Sequence, residues 1–370
     1  MKWATIRWHL RRSDWLLTGA ILALMVIGIL FIYSASFQRA DMPVGKMYQR
    51  QIIWALVGIA GYVTLAMTDY RRLAEYAWWI YSVVLVLLIL VLFIGHQVHG
   101  ATRWLNVFNI QLQPAELAKI AVILAVSRYW ARPDRDMSSL ASLVTALIIA
   151  GGPFLLIARQ PDLGTAATLL PITLFILFAG GIRMKFILVL FLIGLMLAPI
   201  GWLGLGNYQK ERILVFLDSS RDPFGAGWNK IQSQIAVGSG GLTGKGYLQG
   251  TQNILGFLPR TVAPTDFIYS VIAEEKGFVG ATAVLTLYGI ILLCGTRAAL
   301  VAPDKMGRLM AVGITGMIFF HVFVNTAMTI GLMPITGLPL PLMSYGGSFM
   351  VSMMLGFGIL QSISIRRIRR

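Results

Sequence analysis

Long apolar runs separated by short polar connectors dominate the chain. Runs of about 20 apolar residues are the length that crosses a bilayer core. The first is Trp15–Ser36, and others lie near 49–68, 73–95, 115–131, 140–158, 163–181, 185–204, 267–294, 308–331 and 342–364. Apolar residues are continuous within them and do not alternate with polar ones, which excludes a transmembrane β-barrel. The pattern predicts an all-α, polytopic integral membrane protein of about ten transmembrane helices, with residues 1–370 forming a single membrane domain. The first run follows Lys2, Arg7, Arg11 and Arg12. Its apolar core is longer than a signal peptide's, so it reads as a retained anchor.

One stretch breaks the rhythm. Residues 205–265 contain no apolar span and far exceed an ordinary connection, and loops of that length are usually functional or disordered. This one carries Tyr208, Trp228, Tyr247 and Phe257, and Ile231–Val237 reads as a short amphipathic segment. It is expected to be an ordered loop packed on one face of the bundle.

Composition agrees with the pattern: 57% of residues are hydrophobic and only 12% charged, and the mean hydropathy is +0.75. Soluble domains carry about 25% charged residues. The net charge of +16 changes the picture only through its placement. Lysines and arginines concentrate in connectors, as the positive-inside rule requires, so nucleic acid is not the expected partner. An even number of spans puts both termini on one side. The basic start, Arg128, Arg132, Arg183 and the tail Arg366-Arg367-Ile368-Arg369-Arg370 make that side cytoplasmic, leaving 205–265 outside. The single cysteine, Cys294, excludes an intrachain disulfide. His96 and His99 lack an obvious third ligand, and no H-E-x-x-H occurs.

Five polar clusters remain, nearly all on the outward side. Gly100-Ala-Thr-Arg103-Trp104 is followed by Gln113-Pro114-Ala-Glu116-Leu-Ala-Lys119. Pro114 suits the first turn of a helix, and Glu116 and Lys119 share a face at i,i+3. They read either as an ion pair stapling helices or as the wall of a polar cavity. Asp162, in Arg159-Gln160-Pro161-Asp162-Leu-Gly164, is either a helix N-cap or functional. Gly238-Ser239-Gly240-Gly241-Leu-Thr-Gly244-Lys245-Gly246 fails the P-loop pattern. It reads as a flexible turn or as an anion nest charged by Lys245. Asp266, where the long loop meets the eighth span, is an N-cap or a general base, and Glu274 lies about two turns deeper. Last come Pro334, Pro339, Pro341, Ser344 and Gly346-Gly347, expected to form a broken or re-entrant segment lining a cavity.

In this order the clusters resemble the SEDS family of shape, elongation, division and sporulation membrane proteins. The resemblance spans essentially the whole chain. It rests on Gln160-Pro-Asp-Leu-Gly164, Gln232-Ser-Gln-Ile-Ala-Val-Gly-Ser-Gly-Gly241, Thr265-Asp-Phe-Ile-Tyr-Ser-Val-Ile-Ala-Glu-Glu275 and Leu338-Pro-Leu-Pro-Leu-Met-Ser-Tyr-Gly-Gly-Ser348. Gly244-Lys-Gly246 with Gly250-Thr-Gln252 is closer to the elongation branch than to the division branch. Two departures stand out: Ala115 replaces a common Ser, and Arg260 follows Phe257-Leu-Pro259 where the family commonly has Glu.

The resemblance implies a peptidoglycan glycosyltransferase of the bacterial inner membrane that polymerises lipid II into β-1,4 glycan, in company with a class B penicillin-binding protein and other elongation-complex proteins. It maps the family's essential aspartate onto Asp266 and polar cavity residues onto Arg103, Glu116, Lys119 and Asp162. Arg103, Lys119, Arg212 and Lys245 are then the cations expected at the pyrophosphate, and Ser344 joins the candidate substrate-binding set. A divalent cation, Mg2+ or Mn2+, is compatible with this chemistry, and no organic cofactor is expected. The rival readings are a lipid II flippase and a non-catalytic scaffold.

Overall fold

The computed structural model describes residues 3–36, 46–98, 101–107, 110–133, 139–258 and 262–367. His99, Gly100, the Pro259-Arg260 departure and the last three tail residues lie outside the described residues. A short helix α1 (Trp3–Arg12) precedes α2 (Trp15–Ser36), α3 (Met47–Met67), α4 (Tyr70–Glu75) and α5 (Ala77–Ile94). A small sheet, β1 (His96–Val98), β2 (Ala101–Val107) and β3 (Ile110–Leu112), leads into α6 (Pro114–Trp130), α7 (Leu140–Ala158), α8 (Leu163–Ala179) and α9 (Met184–Gly204). The long loop holds α10 (Asn207–Leu217), a 3-10 turn (Ser219–Arg221), α11 (Ala226–Ser239) and α12 (Thr251–Ile254). Then come α13 (Ile268–Leu300), α14 (Lys305–Thr329) and α15 (Gly347–Ile365).

Each of the ten apolar runs is a helix. Eight are both long and apolar enough to cross a membrane. The other two, α6 and α8, have 17 residues each, and α6 is buried along nearly its whole length. Burial grades across the bundle. The spanning window of α15 is 89% buried, and α15 packs along α3. At the other extreme α9 buries none of its residues. An apolar helix with no buried face is stable only with lipid around it.

The sheet is new relative to the sequence reading. Its order is β1-β2-β3, antiparallel throughout, and it places Arg103 on the central strand. The described part of the long loop is largely helical, and α11 lies along α13. The last span starts at Gly347, five residues later than the apolar run suggested, because Leu342 takes φ 66°, outside helical backbone. Residues 334–340 and 345–346 are irregular, yet Leu338, Leu340, Leu342 and Met343 are buried. Non-helical backbone at this depth survives because protein covers it.

The end opposite the long loop is tied by ion pairs. Asp304 caps α14 and accepts from Tyr70 (2.7 Å) and Arg71 Nε (2.8 Å), while Arg366 reaches Asp69 at 3.3 Å.

Candidate active site

The loop end, the proline-rich segment and α14 converge on Asp266. The segment Ala263–Phe267 is not helical, and its backbone is held from outside. Asn325, a buried amide on α14, donates from Nδ2 to the carbonyls of both Asp266 (3.0 Å) and Leu338 (2.8 Å). Ser344 Oγ donates to the Thr265 carbonyl and accepts from Leu340 N at 2.8 Å. Tyr345 N donates to Pro264 O at 2.9 Å. Ser344 therefore fixes the residue beside Asp266, and its hydroxyl is consumed in doing so.

Two arginines and a second carboxylate surround the Asp266 side chain. Arg212, on α10, donates to Thr336 O at 3.1 Å. Gly337 stands between the two groups at φ 75°, and a Cβ there would lie 3.6 Å from Asp266 Oδ2 and 3.9 Å from Arg212 Nη1. Those are ordinary contact distances, so it is the left-handed backbone that favours glycine here. Arg103 donates to Pro161 O at 2.6 Å and lies 3.7 Å from Asp162 Oδ1. Asp162 is an N-cap. It caps α8 through Thr165 N (3.2 Å) and Thr165 Oγ1 (3.0 Å), and it also takes Gln113 Nε2 at 3.3 Å.

Asp266 is half-buried. Burial is the strongest influence on its carboxyl and pushes it up to about 6. Arg212, the Thr265 hydroxyl and Arg103 pull it down, and Asp162 adds a smaller upward push. Such a group is ionised at neutral pH and is a better proton acceptor than an ordinary aspartate.

Glu116 and Lys119 lie deeper and are closed off. Lys119 Nζ sits 2.7 Å from Glu116 Oε2, with the two side chains 0% and 3% exposed. The contact is ionic and is not a well-angled hydrogen bond. Lys119 also meets His321 Nε2 at 2.9 Å, and His321 Nδ1 faces Pro339 O at 3.2 Å. With an ammonium on one side and a carbonyl on the other, Nδ1 carries the proton. The pair is a dry internal staple linking α6 to α14 and the proline-rich segment.

Lys245 goes elsewhere. Its Nζ binds Glu274 Oε1 and Thr251 Oγ1, both at 2.7 Å. The glycine-rich stretch is not an open nest either. The amides of Gly244, Lys245 and Gly246 donate to the carbonyls of Gly240, Glu274 and Glu275. Asp266 thus gathers Arg103, Asp162, Arg212 and Ser344, whereas Glu116–Lys119 and Lys245 form separate centres.

His321 and Asn325 escaped the sequence reading. With Thr329 they stand at i, i+4 and i+8, all 0% exposed, so they share one face of α14. Polar residues repeating at that spacing inside an apolar run were the available signal.

Among the described residues, no group of three or more His, Cys, Asp or Glu side chains could cage a metal ion.

The profile of the FtsW/RodA/SpoVE cell cycle protein family matches residues 14–368. The chain is 42% identical over 348 residues to the peptidoglycan glycosyltransferase MrdB of Escherichia coli, covering 94% of this chain and 92% of that protein. It is 34% identical over 427 residues to the peptidoglycan glycosyltransferase RodA of Treponema pallidum, covering 96% and 98%. Among solved structures, it is similar to a chain of a peptidoglycan synthase complex described as coordinating polymerization and crosslinking (TM-score 0.79, 32% identity, 95% and 97% covered). It is also similar to the rod shape determining protein RodA of Thermus thermophilus (TM-score 0.71, 29% identity, 97% and 98% covered). With nearly its full length matched in sequence and in fold, this multi-pass membrane protein belongs to the FtsW/RodA/SpoVE, or SEDS, family.

Proposed function

We propose that this chain is a peptidoglycan glycosyltransferase that polymerises lipid II into β-1,4 glycan at the outer face of the cytoplasmic membrane during cell elongation. The observation that carries the reading is Asp266: a half-buried carboxylate with a raised proton affinity, flanked by Arg212 and Arg103, at the mouth of a spanning helix. The acceptor sugar's 4-hydroxyl is too weak an acid to ionise alone near neutral pH. Asp266 takes its proton as the oxygen attacks C1 of the donor. The C1–O bond to the pyrophosphate breaks, and undecaprenyl pyrophosphate leaves with the bonding electrons. Arg103 and Arg212 stabilise the charge growing on it. An α-linked donor then gives a β-linked product in one displacement, with no covalent intermediate. Ser344 and Asn325 act by positioning the backbone around Asp266.

A lipid-linked donor arrives from within the bilayer. The bare apolar surface of α9, which runs directly into the helix bearing Arg212, supports entry on that side. Basic residues at the far end, among them Arg71, Arg128, Arg132 and Arg366, support cytoplasmic termini. The partner proposed is a class B penicillin-binding protein, which supplies crosslinking.

A resident divalent cation is a poor fit to these residues. Asp162 is already occupied by Arg103, Gln113 and Thr165, and two guanidiniums sit where a cation would have to approach. No step above runs through a metal. Any Mg2+ or Mn2+ would have to arrive with the pyrophosphate.

The test is purified protein, alone and with its transpeptidase partner, supplied with labelled lipid II. Glycan from wild type and none from Asp266→Asn supports the reading. Full polymerisation by the variant removes Asp266 as the base. Lipid II translocation without polymerisation establishes the flippase instead, and neither activity leaves the scaffold.

A further inference from the structure

The helix that follows Asp266 is broken. Gly277 interrupts α13 at φ 63° and ψ −161°, a backbone region essentially reserved for glycine. A Cβ there would meet Gly244 N at 2.4 Å. A break frees amides below it and carbonyls above it, and inside a membrane both need partners. The glycine-rich stretch supplies them. Phe278 N and Val279 N donate to the carbonyls of Gly241 (2.8 Å) and Leu242 (3.1 Å). Lys245 N and Gly246 N donate to the carbonyls of Glu274 and Glu275, both at 3.0 Å.

Side chains lock the same joint. Glu274, 0% exposed, collects Lys245 Nζ (2.7 Å), Thr251 Oγ1 (3.1 Å) and Gln252 N (2.9 Å) on one oxygen. Glu275 accepts from Ser34 Oγ on α2 and from Leu248 N (3.1 Å). Higher up, Ser233 of α11 meets Ser270 at 2.7 Å. The short rod 268–276 therefore carries Asp266 at one end and this joint at the other.

We propose that Lys245 and Glu274 are positioning residues for the glycosyl transfer: their ion pair seats the glycine-rich stretch in the break of α13 and so fixes where the rod holds Asp266. Eight residues of helix put the pair about 12 Å from Asp266 along the rod, too far to share a phosphate with it. This replaces the expectation that Lys245 touches the pyrophosphate, and it rests on the glycosyltransferase reading.

The pair is asymmetric, and that makes it testable. Removing Lys245 strands a charge on a fully buried carboxylate, which is costly. Removing the Glu274 charge leaves a lysine that is 26% exposed and within reach of water. Wild type, Lys245→Met, Glu274→Gln and the double variant are assayed as full chains with the transpeptidase partner and labelled lipid II. Their thermal midpoints are recorded alongside.

Lys245→Met is expected to lower kcat about 100-fold, the scale of a 1 Å misplacement of a reacting group, with KM within about twofold. Glu274→Gln costs about threefold, and the double variant recovers about tenfold over Lys245→Met. A rise in KM at constant kcat, or a double variant no better than Lys245→Met, overturns the proposal, because Glu274 cannot rescue a lost phosphate contact. If Lys245→Met does not fold, the double variant decides: lowered kcat at unchanged KM supports positioning, and a raised KM overturns it. An inactive wild type removes the glycosyltransferase reading, and the positioning role falls with it. Active wild type with failed rescue removes the positioning role alone.

Discussion

Glu116 and Asp266 are both acidic side chains with basic neighbours, yet their settings are opposite. Glu116 is sealed against Lys119, and His321 takes up another face of that ammonium. Asp266 keeps an accessible edge, and its arginines are engaged by other groups, Arg103 by Pro161 and Asp162 and Arg212 by Thr336. The first carboxylate, 3% exposed, is closed in against its cation. One surrounded by occupied cations retains proton affinity and an open approach. The difference lies in who else claims the base.

Four experiments break or sharpen that contrast. The largest effect belongs to Asp266→Asn, which should cut polymerisation about 100- to 10,000-fold, the range for a general base, without lowering the thermal midpoint. Lys119→Met should do the reverse in kind. It strands Glu116 in the interior at a cost of about 3–5 kcal/mol, seen as a lower unfolding midpoint in detergent, and adding Glu116→Leu should recover much of it. Arg212→Gln should lower kcat/KM about 100-fold, as loss of one preorganised charge-stabilising donor does, while leaving the midpoint near wild type.

Acid should be milder. Asp266 must be ionised to act, and its carboxyl titrates at about 6. Activity should therefore fall about tenfold per pH unit below that point. The linked stability runs the other way. The folded state binds this proton more tightly than the unfolded chain, so Asp266 contributes stability below the ordinary aspartate range, and that contribution is lost as pH rises through about 6. A flat rate profile between pH 5 and 7 would show that another group is the base.

Much of this was legible in the residues because hydrophobic length is a one-dimensional signal. The ten runs became ten helices with ends displaced by a few residues, and the larger shifts have local causes. α13 continues to Leu300 because Gly295–Leu300 keeps helical backbone beyond the apolar run. α15 starts late because Leu342 leaves helical backbone.

The three-stranded sheet was not legible. Two of its strands have three residues each, too few for an alternation to show. The glycine-rich stretch was seen but misread. Its partners are carbonyls and amides freed by a helix break more than 30 residues away, and no local pattern announces a tertiary hydrogen bond. Arg103, Asp162 and Arg212 were found as charges near one face, but that they meet around Asp266 depends on packing.

The bareness of α9 has a consequence for how the sequence can change. A segment with no buried residue, touching the core only through half-buried Phe186, Ile187 and Leu190, is constrained mainly in greasiness and reach. Exchanges among Leu, Ile, Val, Phe and Met should pass almost unnoticed along 184–204, and the same exchanges in 347–365 should be punished at nearly every step. A saturation library scored by rod-shaped growth would then trace two stripes, one permissive and one intolerant, and the permissive stripe would mark the side on which the protein meets its oily surroundings.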